Sequence, residues 1–228
     1  KPVIILGLVS LFTDIASEML YPVTPIFLTT VLGSSMAVVG VIEGIAEVTA
    51  GLLKGYFGNL SDKLGKRSIF VVIGYGVSAI VKPLPGIIQN VPAVLFSRVS
   101  DRVGKGIRTA PRDALLASYS HGNSGAVFGF HRAMDTLGAA VGPVIALVLL
   151  YFFPDNFQLI FLLAFIPSAI AVAFTFFVKE KQQTVKTKSK KNYLEFWKTA
   201  PKEYKRILIL IVIFSLVNSS DVFLILKS

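Results

Sequence analysis

Long apolar runs joined by very short polar loops constrain this 228-residue chain more than any other feature. Stretches near twenty apolar residues are not expected in a soluble domain, and here they recur along the whole length. A hydrophobic fraction of 54%, a mean hydropathy of +0.70 and 18 Phe make lipid the solvent for most of the chain. Inside a bilayer every backbone N–H and C=O needs an internal partner. The runs are too long and too unalternating for barrel strands, so the expected fold class is all-α, a polytopic membrane helix bundle. The first run exceeds signal-peptide length and lacks an early small-residue cleavage site, so it is expected to be retained.

In chain order the first span is expected from about Val3 to Thr30, kinked toward its far end by Pro22 and Pro25. A second follows from about Met36 to Phe57, with Gly40, Gly44, Gly51, Gly55 and Gly58 inside an arc of roughly 60°. Such a stripe predicts close approach of a neighbouring helix. A third span covers about Ser68–Ile88, and a fourth begins near Val91, carries Arg98, Asp101, Arg102, Lys105 and Arg108, and is expected to be disrupted at Pro111. The fifth runs from about Ser124 to Phe153 and the sixth from about Phe157 to Val178. Residues 1–178 thus read as a six-helix bundle. Residues 179–206 hold ten Lys or Arg around the amphipathic patch Tyr193–Trp197, a linker on the membrane surface. A seventh span occupies 207–228.

The loops at 33–35, 89–90 and 154–156 contain no Lys or Arg, whereas the alternate loops are rich in them. Positive charge favours the cytoplasmic side, so the N-terminus and the linker are expected there, in a cell membrane. The net charge of +10 is accordingly an orientation signal, not a nucleic-acid footprint. With no Cys, disulfides and thiolate metal sites are excluded. No metal-ligand cluster, phosphate-binding loop or nucleophile beside a base stands in the sequence, so neither an enzyme nor a cofactor is expected.

The polar island between spans two and three, Gly58–Arg67, has the spacing Gly-x-x-x-Asp-Lys-x-Gly-Lys-Arg. Gly58 and Gly65 are expected to turn the chain, and Asp62 lies at a helix end among Lys63, Lys66 and Arg67. This island resembles the signature loop between helices 2 and 3 of the major facilitator superfamily of secondary transporters. Arg98 followed by Gly104 and Gly106 resembles a second motif of that family, although the glycines come two residues later than its spacing. Gly138-x-x-x-Gly142-Pro143 in the fifth span is similar to a motif of its proton-coupled antiporters, with Ala146 and Leu147 where later glycines would stand. The resemblance implies two six-helix halves that rock about a midplane site, a small-molecule substrate, and a role for Asp62 in holding one state through the opposite half. By that implication the chain is one half, the linker and the first helix of a second half.

Ionisable groups at membrane depth are costly, so each is either paired or functional. At about 1.5 Å per residue, Asp14, Glu18, Glu47 and Arg98 fall near mid-membrane, with Arg102, Lys105 and Asp135 nearer the cytoplasm. The fourth-span charges share an arc of about 120°, which must look into the bundle or a wet cavity. Asp14, Glu18 and Glu47 are candidates for proton coupling; the competing reading is that they neutralise cations in a static network. Arg98, Arg102, Asp135 and His131 are candidates for a substrate cavity or for buried pairing, Arg98 and Arg102 with Asp14, Glu47 or Asp135. Asp101, Lys105 and Arg108 are expected in a cytoplasmic gate network around Asp62. The function that follows is alternating-access transport, coupled to protons and exporting a small organic molecule. The alternatives are an anion exchanger or uptake carrier using the fourth-span cations, and a receptor or scaffold on a transporter fold.

Overall fold

The computed structural model describes residues 1–120, 122–178, 180 and 197–217, which fall in two compact units, Lys1–Gln183 and Thr184–Ser228. Among the described residues of the first unit every regular element is helical: α1 (Pro2–Ile26), α2 (Met36–Leu64), α3 (Arg67–Val81), α4 (Leu84–Ile87), α5 (Val91–Ser118), α6 (Ser124–Phe152), α7 (Phe157–Leu163) and α8 (Phe165–Thr175). The second unit contributes α9 (Lys202–Val217), with the Lys205 ammonium 5.8 Å from the centre of the Trp197 ring. Residues 193–196 of the expected surface patch and 218–228 of the seventh span lie outside the described residues.

Five stretches, Pro2–Val31, Met36–Leu64, Arg67–Ile87, Ser124–Phe152 and Phe157–Thr175, are long and apolar enough to cross a bilayer. α5 matches them in length but carries the charges of the fourth span, which it turns inward. Outward faces are apolar instead: Val48, Leu52, Ile80, Val144, Leu147 and Tyr151 are all exposed. That inversion of a soluble protein's pattern is what lipid as solvent requires.

Prolines set the local departures from ideal helix. α1 keeps Pro22 and Pro25 inside it and continues into a π-helical turn at Phe27–Val31, closed by Leu32 N–H donating to the Phe27 carbonyl at 3.1 Å. The third span breaks after Val81, because Pro85 has no N–H for the Val81 carbonyl; the Ser97 hydroxyl of α5 donates to that carbonyl at 2.6 Å instead. The sixth span breaks at Ala164, four residues after Ile160 and three before Pro167, which cannot donate to the carbonyl of Leu163. α5, by contrast, runs unbroken through Pro111. Leu115 and Leu116 beyond it are fully buried against Leu6, Val9, Val71 and Tyr75, and that burial outweighs one missing backbone bond.

The island at 58–67 is also more helical than its glycines suggest. α2 continues to Leu64, and the loop shrinks to Gly65 and Lys66. Gly65 supplies the left-handed cap, φ 62°, with its N–H donating to the Ser61 carbonyl at 3.0 Å. Gly58 is inside the helix, where a Cβ would stand 2.9 Å from the Ala110 Cβ of α5, so its role is close approach. The N-terminus of α3 is capped from afar: the Glu180 carboxylate accepts the Arg67 N–H at 2.6 Å and the Ser68 hydroxyl at 2.8 Å. An anion at that position complements the helix dipole.

Glycine contacts show how the helices register. A Cβ on Gly138 or Gly142 of α6 would lie 2.6 Å from the Leu11 carbonyl or 2.7 Å from the Ile15 carbonyl, so α1 and α6 run parallel at very short range. A Cβ on Gly104 of α5 would lie 2.5 Å from the Gly74 carbonyl, and one on Gly106 would lie 2.7 Å from the Leu53 Cβ, so α5 is wedged between α3 and α2. In the expected stripe on α2, Gly44, Gly51 and Gly55 meet nothing within 4 Å among the described residues. α8 packs on α1 and α3, where Phe12 stacks with Phe174 at 6.0 Å, and at the opposite end Phe27 meets Phe161 at 5.2 Å.

Candidate functional site

The inward charges sort into two groups. The first is carried by α5 against its two neighbours. Arg98 forms a bidentate pair with Glu43 of α2, Nε to Oε1 at 2.8 Å and Nη2 to Oε2 at 2.7 Å, and both side chains are largely buried. One turn on, Arg102 pairs with Glu47 at 2.9 Å, and here the carboxylate side is open, Glu47 being 62% exposed. On the other flank Asp101 accepts from the Lys82 ammonium at 2.9 Å, with both groups buried. Arg108 donates to the Ser78 hydroxyl at 2.5 Å and lies over the Tyr75 ring at 4.5 Å. The 120° arc of charge therefore splits, with Arg98 and Arg102 facing α2 and Asp101 and Arg108 facing α3.

Within lipid-like surroundings such pairing is obligatory, since a lone buried charge costs several kcal/mol. Arg98, a candidate for a substrate cavity or for a buried pair, is bonded to Glu43 and not to Asp14, Glu47 or Asp135. Asp101 and Arg108 bond to α3 and not to Asp62. Asp62 is exposed and bonds Arg67 across the Gly65 turn, at 2.7 Å to Nη2. Lys63, Lys66 and Lys105 are exposed. Arg112 bonds its neighbour Asp113 at 3.0 Å.

The second group lies along the contact of α1 with α6. Asp135 accepts a very short hydrogen bond from the Ser10 hydroxyl and stands 3.4 Å from Nδ1 of the buried His131. Exposed Arg132 reaches it only at 4.0 Å. The other ring nitrogen of His131 is buried without a hydrogen-bond partner. Asp14 and Glu18 follow Ser10 at successive turns of α1, and their Cβ atoms lie against Gly138 and Gly142. Both acids are half-buried, and neither forms a hydrogen bond or ion pair among the described residues. The Gly138–Gly142–Pro143 motif therefore does one definable thing here: it seats α6 on the two turns of α1 that carry free carboxyls.

Between the two groups lies a small pocket bounded by Ser17, Leu20 and Thr24 of α1, Lys82 and Pro85 at the α3–α4 break, and α5. Sequence reasoning missed Lys82 and Glu180 altogether. Lys82 ends an apolar run beside a proline and reads as an interfacial lysine. One signal was available: Lys82 stands directly before Pro83 and close to Pro85, at the interruption of a span, and membrane transporters place ion and substrate sites at broken helices.

A bundle of membrane-crossing helices with inward-turned ion pairs and a polar pocket at a helix break belongs to the class of polytopic membrane proteins. The chain belongs to the major facilitator superfamily, whose family model matches residues 6–227. It is 37% identical to an uncharacterised MFS-type transporter of Methanocaldococcus jannaschii over 229 residues, all of this chain and 56% of that protein. Uncharacterised proteins of Mycobacterium bovis and Mycobacterium tuberculosis are each 32% identical over 143 residues, 62% of this chain and 35% of theirs. The chain thus spans about half the length, or less, of the curated relatives it matches.

Proposed function

We propose that the protein is a secondary transporter working by alternating access, which exchanges protons for the export of a small organic molecule across a cell membrane. In this reading residues 1–178 are one rocking half, the N-terminus and the 179–206 linker are cytoplasmic, and a second half completes the pathway. The lipid bilayer and protons are its other partners. The observation that carries it is that Asp14 and Glu18 make no hydrogen bond or ion pair among the described residues. Acids kept only as static counterions would be expected to resemble Glu43, whose two oxygens are both taken by Arg98. A carboxyl that no hydrogen bond or ion pair holds is free to take up and release a proton as access alternates. Glu47, engaged by Arg102, ranks behind them, and the His131–Asp135 pair is the next place for a proton to pass. Asp62, bonded to Arg67 at the short α2–α3 turn, is the residue to which the family resemblance gives a gate role through the opposite half.

The test is proton movement in proteoliposomes of the full-length protein under an imposed pH gradient, with cationic, neutral and anionic substrates. Substrate-dependent flux is expected, lost in Asp14→Asn or Glu18→Gln and retained in Glu47→Gln. Flux unchanged in the first two variants would make those acids structural. No flux with any substrate would favour a receptor or scaffold.

A further inference from the structure

We propose that Arg102 and Lys105 hold the anionic head of the transported molecule, a monocarboxylate that replaces Glu47 on Arg102 and bridges to Lys105. This deepens the transport reading by naming a substrate class, and it rests on that reading for its physiological meaning. Most charges of α5 are already answered. Arg98 takes both oxygens of Glu43, Asp101 pairs with Lys82, and Arg112 pairs with Asp113. Arg108 is engaged by the Ser78 hydroxyl and the Tyr75 ring. Lys105 differs from all of these. It stands near the middle of α5, it is exposed, and its ammonium makes no hydrogen bond or ion pair among the described residues. The charges that act on it are those of Arg102, Glu47, Arg108 and Asp101, and Asp101 is already bonded to Lys82. Arg102 and Lys105 therefore share one acid, Glu47.

The pair that Arg102 does make is incomplete. Its Nη2 lies 2.9 Å from one Glu47 oxygen, while its Nε is buried with no hydrogen-bond partner among the described residues. A guanidinium holds a carboxylate best through two parallel N–H···O bonds, as Arg98 holds Glu43, and a buried N–H without an acceptor is costly. Glu47 is the open member of its pair, so it can swing away without disturbing the packed side of α5. The register of the two helices leaves room for what would take its place. Glu43 stands beside Arg98, Glu47 beside Arg102, and Ala50 and Leu53 beside Gly106. At the level of Lys105, α2 thus carries Gly51, which meets nothing within 4 Å. Open space stands where a third acid would continue the row. An ammonium at this depth cannot face hydrocarbon cheaply, so it looks into the wet pathway. Two cations to one acid leave one positive charge in excess, which a monoanion cancels, and the planar guanidinium fork matches a carboxylate.

Because the ligand competes with Glu47, the two flanking residues should act in opposite directions. Benzoate, benzamide and benzylamine share a ring and differ in charge, and their binding to purified full-length protein in detergent can be followed by saturation-transfer NMR and by melting temperature. Benzoate is expected to bind most tightly. Lys105→Gln is expected to weaken benzoate about tenfold, the size of one charge-assisted hydrogen bond, Lys105→Arg to retain it, and Glu47→Gln to strengthen it by a similar factor. Benzoate should accordingly raise the melting temperature of Glu47→Gln more than that of the parent. A static role for Lys105, against an acid beyond the described residues, has a different signature: Lys105→Gln would lower the melting temperature of the ligand-free protein and leave benzoate affinity unmoved, which overturns the proposal. Tightest binding of benzylamine, no binding of benzoate, or weaker binding of benzoate to Glu47→Gln would each overturn it as well. Benzoate binding with the expected pattern in a protein that moves no protons in proteoliposomes would retain the site and remove transport; proton flux without benzoate binding would do the reverse.

Discussion

The ion pairs of α5 differ in what surrounds them more than in their length. Glu43 and Arg98 are each 12% exposed, whereas Glu47 is 62% exposed beside an equally buried Arg102. Removing one partner of an enclosed pair strands the other charge, at a cost of about 3 kcal/mol or more; an open pair contributes less than about 1 kcal/mol. Glu43→Gln is accordingly expected to lower the melting temperature of the full-length protein clearly, and Glu47→Gln only slightly, in thermal denaturation of the purified variants. Equal losses would show that Glu47 is enclosed by something beyond the described residues. At this scale the sequence named the charged residues within the spans and offered Arg98 for a substrate cavity or for a buried pair. It left the partner open among several acids of similar depth, because depth depends on position along one helix and pairing depends on the rotation of two.

Between elements, glycines decide how close the helices come. Gly104 and Gly138 have neighbouring backbone carbonyls 2.5 and 2.6 Å from where a Cβ would sit, and backbone cannot move aside as a side-chain end can. Gly76 has nothing within 4 Å. Gly104→Ala and Gly138→Ala are therefore expected to destabilise by about 1–3 kcal/mol as overpacking, while Gly76→Ala is neutral or slightly stabilising through helix propensity. Melting curves of the three variants check the ordering. A four-residue spacing put a glycine stripe on α2, yet of its members Gly58 alone is shown in close approach to a neighbour, while Gly44, Gly51 and Gly55 meet nothing within 4 Å among the described residues. Spacing reports which residues share a face; only the neighbour decides whether that face is used. The helix ends obeyed the same division, since Gly65 was readable as a turn from its type, while the cap from Glu180, 112 residues beyond Ser68, was not.

For the whole molecule, the absence of Cys gives a clean background for topology mapping. Single cysteines placed at Ser35 and Asn156 are expected to react with a membrane-impermeant thiol reagent added outside intact cells. One placed at Lys66 should react only after the membrane is opened. The reverse pattern would invert the charge-based orientation. The all-helical membrane bundle itself was legible from the sequence because hydrophobic length is a local quantity: about twenty apolar residues cross a bilayer whatever lies beside them. Short loops and the alternation of Lys and Arg between them then ordered the spans. What tertiary structure alone decided is the internal wiring, namely that Lys82 meets Asp101, that Glu43 takes Arg98, that Asp14 and Glu18 make no hydrogen bond or ion pair among the described residues, and that α5 passes through Pro111. Each of these depends on side chains brought together from distant positions, and on burial that outweighs a local preference, quantities that no single stretch of the chain contains.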